Sequence, residues 1–184
     1  MKKIILFFIL AFLFSCGTQK LPASLEMTEV NGTPVSGMQY IDDKIAIDWS
    51  YVMRSRLNFK LKNISAKNMR LIWDNAAYVD ANGKVDRIMH HGIKYVDRNE
   101  SQPSSTIPAG AILEDAIIPV GVIGYTARYG WHEGTMFGFS TTDRRLAETQ
   151  KANTFGRNIK VLLPIEIDGE ITEYTFSFTV NEPM

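Results

Sequence analysis

The chain has 184 residues, 45% of them hydrophobic, with 20 Lys and Arg balancing 20 Asp and Glu for a formal net charge of zero. A balanced charge leaves no basic excess to draw in nucleic acid, so no nucleic-acid partner is expected. The single cysteine excludes an internal disulfide, a structural zinc site built on paired cysteines, and a dithiol redox motif.

The amino terminus is the most specific segment. Lys2 and Lys3 precede an unbroken apolar run over residues 4–14, which closes on Ser15 and Cys16. A helix needs roughly 20 apolar residues to cross a bilayer, so this shorter run reads as a secretory signal. Leu13, Ser15 and Cys16 resemble the lipobox of bacterial lipoproteins, with Phe14 standing where a smaller residue is usual. The resemblance implies cleavage before Cys16 and acylation of its thiol and of the new amino terminus. Each buried methylene contributes about 0.8 kcal/mol, and stable anchoring takes more than one acyl chain. Residues 1–15 are thus expected to be a signal peptide, residues 16–24 a lipidated tether, and residues 25–184 a single domain. By the same resemblance, an anchor without aspartate after Cys16 implies the outer rather than the inner membrane, with the domain facing the periplasm.

The rest reads as strands. Ile45, Ile47, Trp49 and Tyr51 alternate with polar or small residues, as do Leu57, Phe59 and Leu61. A period of two is the signature of a half-buried strand. After a polar break, Leu71, Ile72 and Trp73 open another strand. Val79 and Val85 flank Asp80, Ala81, Asn82, Gly83 and Lys84, a hairpin with Gly83 in the left-handed position. Residues 88–96 are expected to continue as a strand with Ile93 and Tyr95 inward. Residues 105–108 read as extended, and residues 112–122 as a strand interrupted by Pro119. One short helix is expected near residues 143–151, capped by Thr142 or Asp143.

The carboxyl end carries the clearest hairpin. Ile159, Val161, Leu163, Ile165 and Ile167 alternate up to Asp168 and Gly169, a strong two-residue turn. Pairing Ile167 with Glu170 sets Leu163 opposite Tyr174, Val161 opposite Phe176 and Ile159 opposite Phe178, so the apolar sets share one face. A slip of one residue would turn one set outward. Pro164 lacks an N–H, which predicts an edge or a bulge on its side.

Leu61, Asn63 and Ser65, then residues 71–74 (Leu-Ile-Trp-Asp) and 80–83 (Asp-Ala-Asn-Gly), resemble the strand–loop–strand opening of immunoglobulin-like sandwiches in bacterial envelope lipoproteins. The resemblance covers residues 45–120 and implies an all-β antiparallel sandwich. Its motifs carry fold rather than function.

Few residues suggest chemistry. His90 and His91 are neighbours, so a regular strand would point them to opposite faces. One of them with His132 and Glu133 would make a metal site only if the fold gathered them, and no metal or cofactor is expected. No Gly-x-Ser-x-Gly elbow and no phosphate-binding glycine loop is present, and the chain is expected not to be an enzyme. Residues 125–139 combine glycines with aromatics, and Tyr125, Tyr129, Trp131 and His132 are the candidate contacts for a ligand or partner. The competing expectation is that these aromatics close one end of the core. The leading function is a non-catalytic, lipid-anchored envelope module that contacts a protein. The alternative is a small-ligand or glycan binder using the 125–139 region.

Overall fold

The computed structural model describes residues 23–137 and 144–183. Cys16, the signal segment, Phe139 and the expected caps Thr142 and Asp143 lie outside the described residues. Strands β1 (Ser24–Val30) and β2 (Thr33–Pro34) form a hairpin, and β3 (Gln39–Ile41), β4 (Ile45–Met53) and β5 (Arg56–Asn63) follow as a meander. β6 (Met69–Leu71) passes through a 3-10 turn at Trp73–Asn75 into β7 (Ala77–Val79), which pairs with β8 (Val85–Met89). β9 (Ser105–Ile107) pairs with β6, and β10 (Ile112–Pro119) runs antiparallel to β5. β11 (Ile123–Thr126) and β12 (Gly130–Glu133) form a separate hairpin. The helix α1 (Arg144–Ala152) then leads to β13 (Asn158–Ile167) and β14 (Glu170–Asn181).

Among the described residues twelve strands belong to one antiparallel sheet, ordered β2-β1-β14-β13-β7-β8-β10-β5-β4-β3, with β6 and β9 branching from β13. The described residues are therefore all-β apart from α1 and short 3-10 turns. The sheet is curled, and its two limbs face one another. Trp49 on β4 sits 5.1 Å from the ring of Phe176 and 5.3 Å from that of Phe178, both on β14. Ile45, Ile47, Leu57, Phe59 and Leu61 from one limb and Val161, Leu163 and Phe176 from the other are buried in the same core. Between the limbs, β8 and β10 pair only at Ile118 with Met89 and Pro119 with Ile88. The sheet ends on very short strands: β2, β3 and, on the branch, β9 have two or three residues each.

The carboxyl hairpin has the expected register, with Ile167 opposite Glu170, Leu163 opposite Tyr174, Val161 opposite Phe176 and Ile159 opposite Phe178. Asp168 and Gly169 take φ of 53° and 81°, the left-handed pair that this two-residue turn demands. Pro164, however, lies on an interior strand. On its far side β13 pairs with β7 through residues 160–162 and with β6 through residues 165–167. Pro164 falls in the gap, where the neighbouring chain leaves the sheet through the Trp73–Asn75 turn. Its missing N–H is thus placed where no strand needs it, and its carbonyl accepts from the Ile72 amide at 3.0 Å. The same turn ends the strand expected over residues 71–73 at Leu71. The Val79–Val85 pairing also stands as expected, with Gly83 at φ 82°.

The strand expected over residues 88–96 ends at Met89. Gly92 turns the chain, and Tyr95–Asp97 is a 3-10 turn. Ile93 and Tyr95 still pack inward, but against a second, smaller cluster of Met89, Ala116, Ile118 and Ile123. A short apolar run punctuated by glycine packs as readily from a loop as from a strand. β10 ends at Pro119, and Val120–Val122 is a 3-10 turn leading into β11.

Asn63 welds the loops at one end. It is fully buried, yet its Nδ2 donates to the carbonyls of Lys67 (2.7 Å) and Ile107 (2.8 Å). Its Oδ1 accepts from the Ser65 amide (3.0 Å) and hydroxyl (2.7 Å).

Candidate functional site

The β11–β12 hairpin divides its residues between root and tip. Register pairs Ile123 with Glu133, Gly124 with His132, and Tyr125 with Trp131. Directly opposed residues share a face, so Ile123, Tyr125, Trp131 and Glu133 lie on one side and His132 on the other. Ile123 is buried in the small cluster under the hairpin. On the opposite face the imidazole of His132 covers Gly124, and a Cβ there would come within 3.0 Å of Nε2. Gly124 therefore has a packing reason that the glycine spacing alone does not disclose.

Glu133 anchors the root. Its carboxylate accepts from the Ser55 hydroxyl, from Arg56 through Nη2 and, at 3.3 Å, through Nε, and from the Tyr95 hydroxyl at 2.5 Å. Its side chain is only 9% exposed. Burial alone would raise its pKa, but the Ser55 and Tyr95 hydroxyls and the Arg56 guanidinium outweigh burial and hold it below the usual range. Tyr95 moves the other way: donation to Glu133, burial and the nearby negative charge raise it. Four donors from two segments on one carboxylate fix the hairpin to the start of β5 and to the loop after β8.

The tip is different. Tyr129 is 71% exposed and Trp131 37% exposed, with Tyr125 exposed beside them. The Tyr125 and Trp131 rings meet edge to face at 5.3 Å. The Arg98 guanidinium lies over the Trp131 ring at 4.6 Å, and that of Arg128 over Tyr129 at 5.1 Å, both within cation–π range. Arg98 also donates to the Tyr95 carbonyl at 3.0 Å, so the loop holding Glu133 also steadies the aromatic tip.

The aromatic stretch thus splits. Tyr125, Tyr129 and Trp131 stand at the surface, whereas Met136 and Phe137 enter the main core. His132 is exposed, with Nδ1 3.2 Å from the Gly130 carbonyl. Arg98, Ser55 and Arg56 are contributors that the sequence did not single out, and Tyr95, expected only as an inward residue, adds its hydroxyl to the anchor. The polar Glu133, alternating with Trp131 beside an apolar Ile123, was the one local sign of a buried anchor.

His90 and His91 do not join His132. His90 stacks on Trp73, with centroids 4.5 Å apart and planes at 10°, and its Nδ1 lies 3.1 Å from Asp115 Oδ2. Asp115 Oδ1 accepts from the His91 amide at 2.8 Å, which holds the turn after β8. A cleft of about 370 Å³ runs between this turn and the hairpin root, bounded by Arg56, His90, Tyr95, Ile118 and Glu133. Among the described residues no group of three or more His, Cys, Asp or Glu side chains is placed to hold a metal ion. No helix among them is long and apolar enough to cross a membrane.

No family model matches the chain, and no curated protein matches it. Among solved structures, the X-ray structure of Northeast Structural Genomics Consortium target SoR45 aligns with it at 12% identity, over 88% of this chain and 80% of that one, with a TM-score of 0.30.

Proposed function

We propose that the protein is a non-catalytic, lipid-anchored module of a bacterial envelope, and that the tip of the β11–β12 hairpin is its contact for a protein partner. The exposed Trp131, clasped by Tyr125 and Arg98 on a root fixed by Glu133, carries this reading. Trp, Tyr and Arg are the residue types that dominate binding energy at protein interfaces. An aromatic tip steadied before binding loses little entropy on contact. Lys2, Lys3, the apolar run and Cys16 support the anchor, and their resemblance to a lipoprotein signal supports reading the domain as periplasmic and the membrane as the outer one. We read the curled sheet as an immunoglobulin-like sandwich, supported by the Trp49 contacts between limbs.

The test is in-membrane cross-linking of wild type, Cys16→Ser and Trp131→Ala. The reading expects membrane retention that depends on Cys16 and one defined protein whose recovery depends on Trp131. Retention unchanged in Cys16→Ser refutes the anchor. Recovery unchanged in Trp131→Ala refutes the contact.

A further inference from the structure

Away from the aromatic hairpin, a second cleft of about 360 Å³ lies between the β7–β8 hairpin and the end of α1. Its near wall follows from strand alternation. Val79 pairs with Val85, which is exposed, and Tyr78 pairs with Asp86 on the other face. Asp80 and Lys84 continue that face into the turn, and all four residues line the cleft. Thr135 and Gln150 stand among the residues of the far walls, and Pro119, Met136 and Phe137 supply apolar surface.

Six buried side-chain polar atoms lack a hydrogen-bond partner among the described residues, and three belong to residues that line this cleft: the Tyr78 hydroxyl, Thr135 Oγ1 and Gln150 Oε1. Tyr78 is only 2% exposed. Buried polar groups are nearly always paired, so three orphans around one space call for a partner within it. Two carboxylates add acceptors whose positions are fixed. Asp86 Oδ2 accepts from the Gly121 amide at 2.7 Å, and Asp80 Oδ1 from the amides of Asn82 (2.9 Å) and Lys84 (2.8 Å). Asp86 Oδ1 and Asp80 Oδ2 receive no protein donor among the described residues.

We propose that this cleft binds a small polyhydroxylated ligand, a mono- or disaccharide, through Tyr78, Asp80, Asp86, Thr135 and Gln150. Its acceptors call for several O–H donors, and its two hydroxyls are met by groups that both donate and accept. Sugar hydroxyls do both, and the C–H faces of a pyranose suit the apolar surface of Pro119, Met136 and Phe137. The volume falls within the roughly 300–1,000 Å³ of small-molecule sites. Burial first, then Asp80, Tyr51 and Asp86, raises the Tyr78 pKa, which keeps its hydroxyl a donor.

The test is ligand-observed saturation-transfer NMR on the full chain in detergent, with glucose, galactose, mannose, N-acetylglucosamine, maltose and cellobiose at millimolar concentration. At least one sugar is expected to bind and to raise the melting temperature of the wild type. Tyr78→Phe, which removes one oxygen, is expected to melt no lower without sugar and to weaken binding about tenfold, the loss of one good hydrogen bond. Thr135→Val serves as the independent second variant, and Trp131→Ala is expected to bind as wild type. The proposal is overturned if no sugar of the panel binds. It is equally overturned if binding survives both Tyr78→Phe and Thr135→Val unweakened, or is lost in Trp131→Ala.

Discussion

The Tyr174 hydroxyl donates to Asp42 Oδ2 at 2.8 Å, joining β14 to the β3–β4 turn across 132 positions of sequence. The other oxygen of Asp42 accepts from the amides of Lys44 and Ile45, each at 2.8 Å. One carboxylate therefore caps a local turn and clasps the two limbs of the sheet. Burial would raise its pKa, but the Ile45 and Lys44 amides and the Tyr174 and Tyr40 hydroxyls outweigh burial and lower it.

A carboxyl whose folded pKa is lower than its unfolded one stabilises above the unfolded value, about 3.9. That contribution is lost as the pH falls through the folded value. Urea unfolding from pH 7 down to pH 2 is expected to show wild type more stable than Asp42→Asn at neutral pH, with the difference closing in the acid range. Asp42→Ala is expected to cost about 1–3 kcal/mol at pH 7, from an unsatisfied hydroxyl and a lost turn cap. A difference that widens below pH 4 would contradict the assignment.

Asn63 makes a second prediction. Asn63→Leu keeps the volume but removes the Asn63 side-chain partner of the Ile107 carbonyl and of the Ser65 amide, and leaves the Lys67 carbonyl only the Ser65 hydroxyl at 3.1 Å. Leaving buried polar groups unpaired costs about 1–3 kcal/mol each where water cannot reach them. The urea midpoint is expected to fall by the equivalent of about 3 kcal/mol with an unchanged slope, and Ser65→Ala to fall by about 1 kcal/mol.

The hairpin and the core part company in a third. Trp131→Ala removes an exposed ring and is expected to cost no more than about 1 kcal/mol, the size of its aromatic and cation–π contacts. Phe137→Ala, six residues on, empties part of the main core and is expected to cost about 3–5 kcal/mol. Chemical denaturation of the two variants side by side separates surface from core.

Glu133 gives a fourth. Glu133→Gln keeps the shape but removes the charge facing Arg56. Amide exchange across the Ile123–Glu133 pairing is expected to quicken while β13 and β14 keep wild-type protection. Because the Glu133 pKa is lowered, wild type is expected to approach the variant's hairpin exchange as the pH falls below the carboxylate range.

How much of this was legible depends on distance along the chain. The β13–β14 register was readable because alternation and the Asp168–Gly169 turn act within one hairpin. Pro164 marks an edge or a bulge from sequence alone; that the break is an interruption in the partner chain, on an interior strand, depends on neighbours from residues 69–79. The exposed Tyr125, Tyr129 and Trp131 were visible as residues but not as a surface, since the same aromatics would suit a core. Their division rests on Glu133, whose partners Ser55, Arg56 and Tyr95 lie 78, 77 and 38 residues away. The paired histidines never met His132, because the turn after Met89 carries His90 to Asp115.

The short terminal strands have a further consequence. A free strand edge is a template for joining another chain, and length and flatness make it effective. Here β2 ends in Pro34, β9 is followed by Pro108, and β3 runs into the acidic pair Asp42 and Asp43. None of the three offers a run long enough to seed a ladder with a neighbour. Polymerisation through any of these three strands would need a longer run of free backbone than the strand supplies.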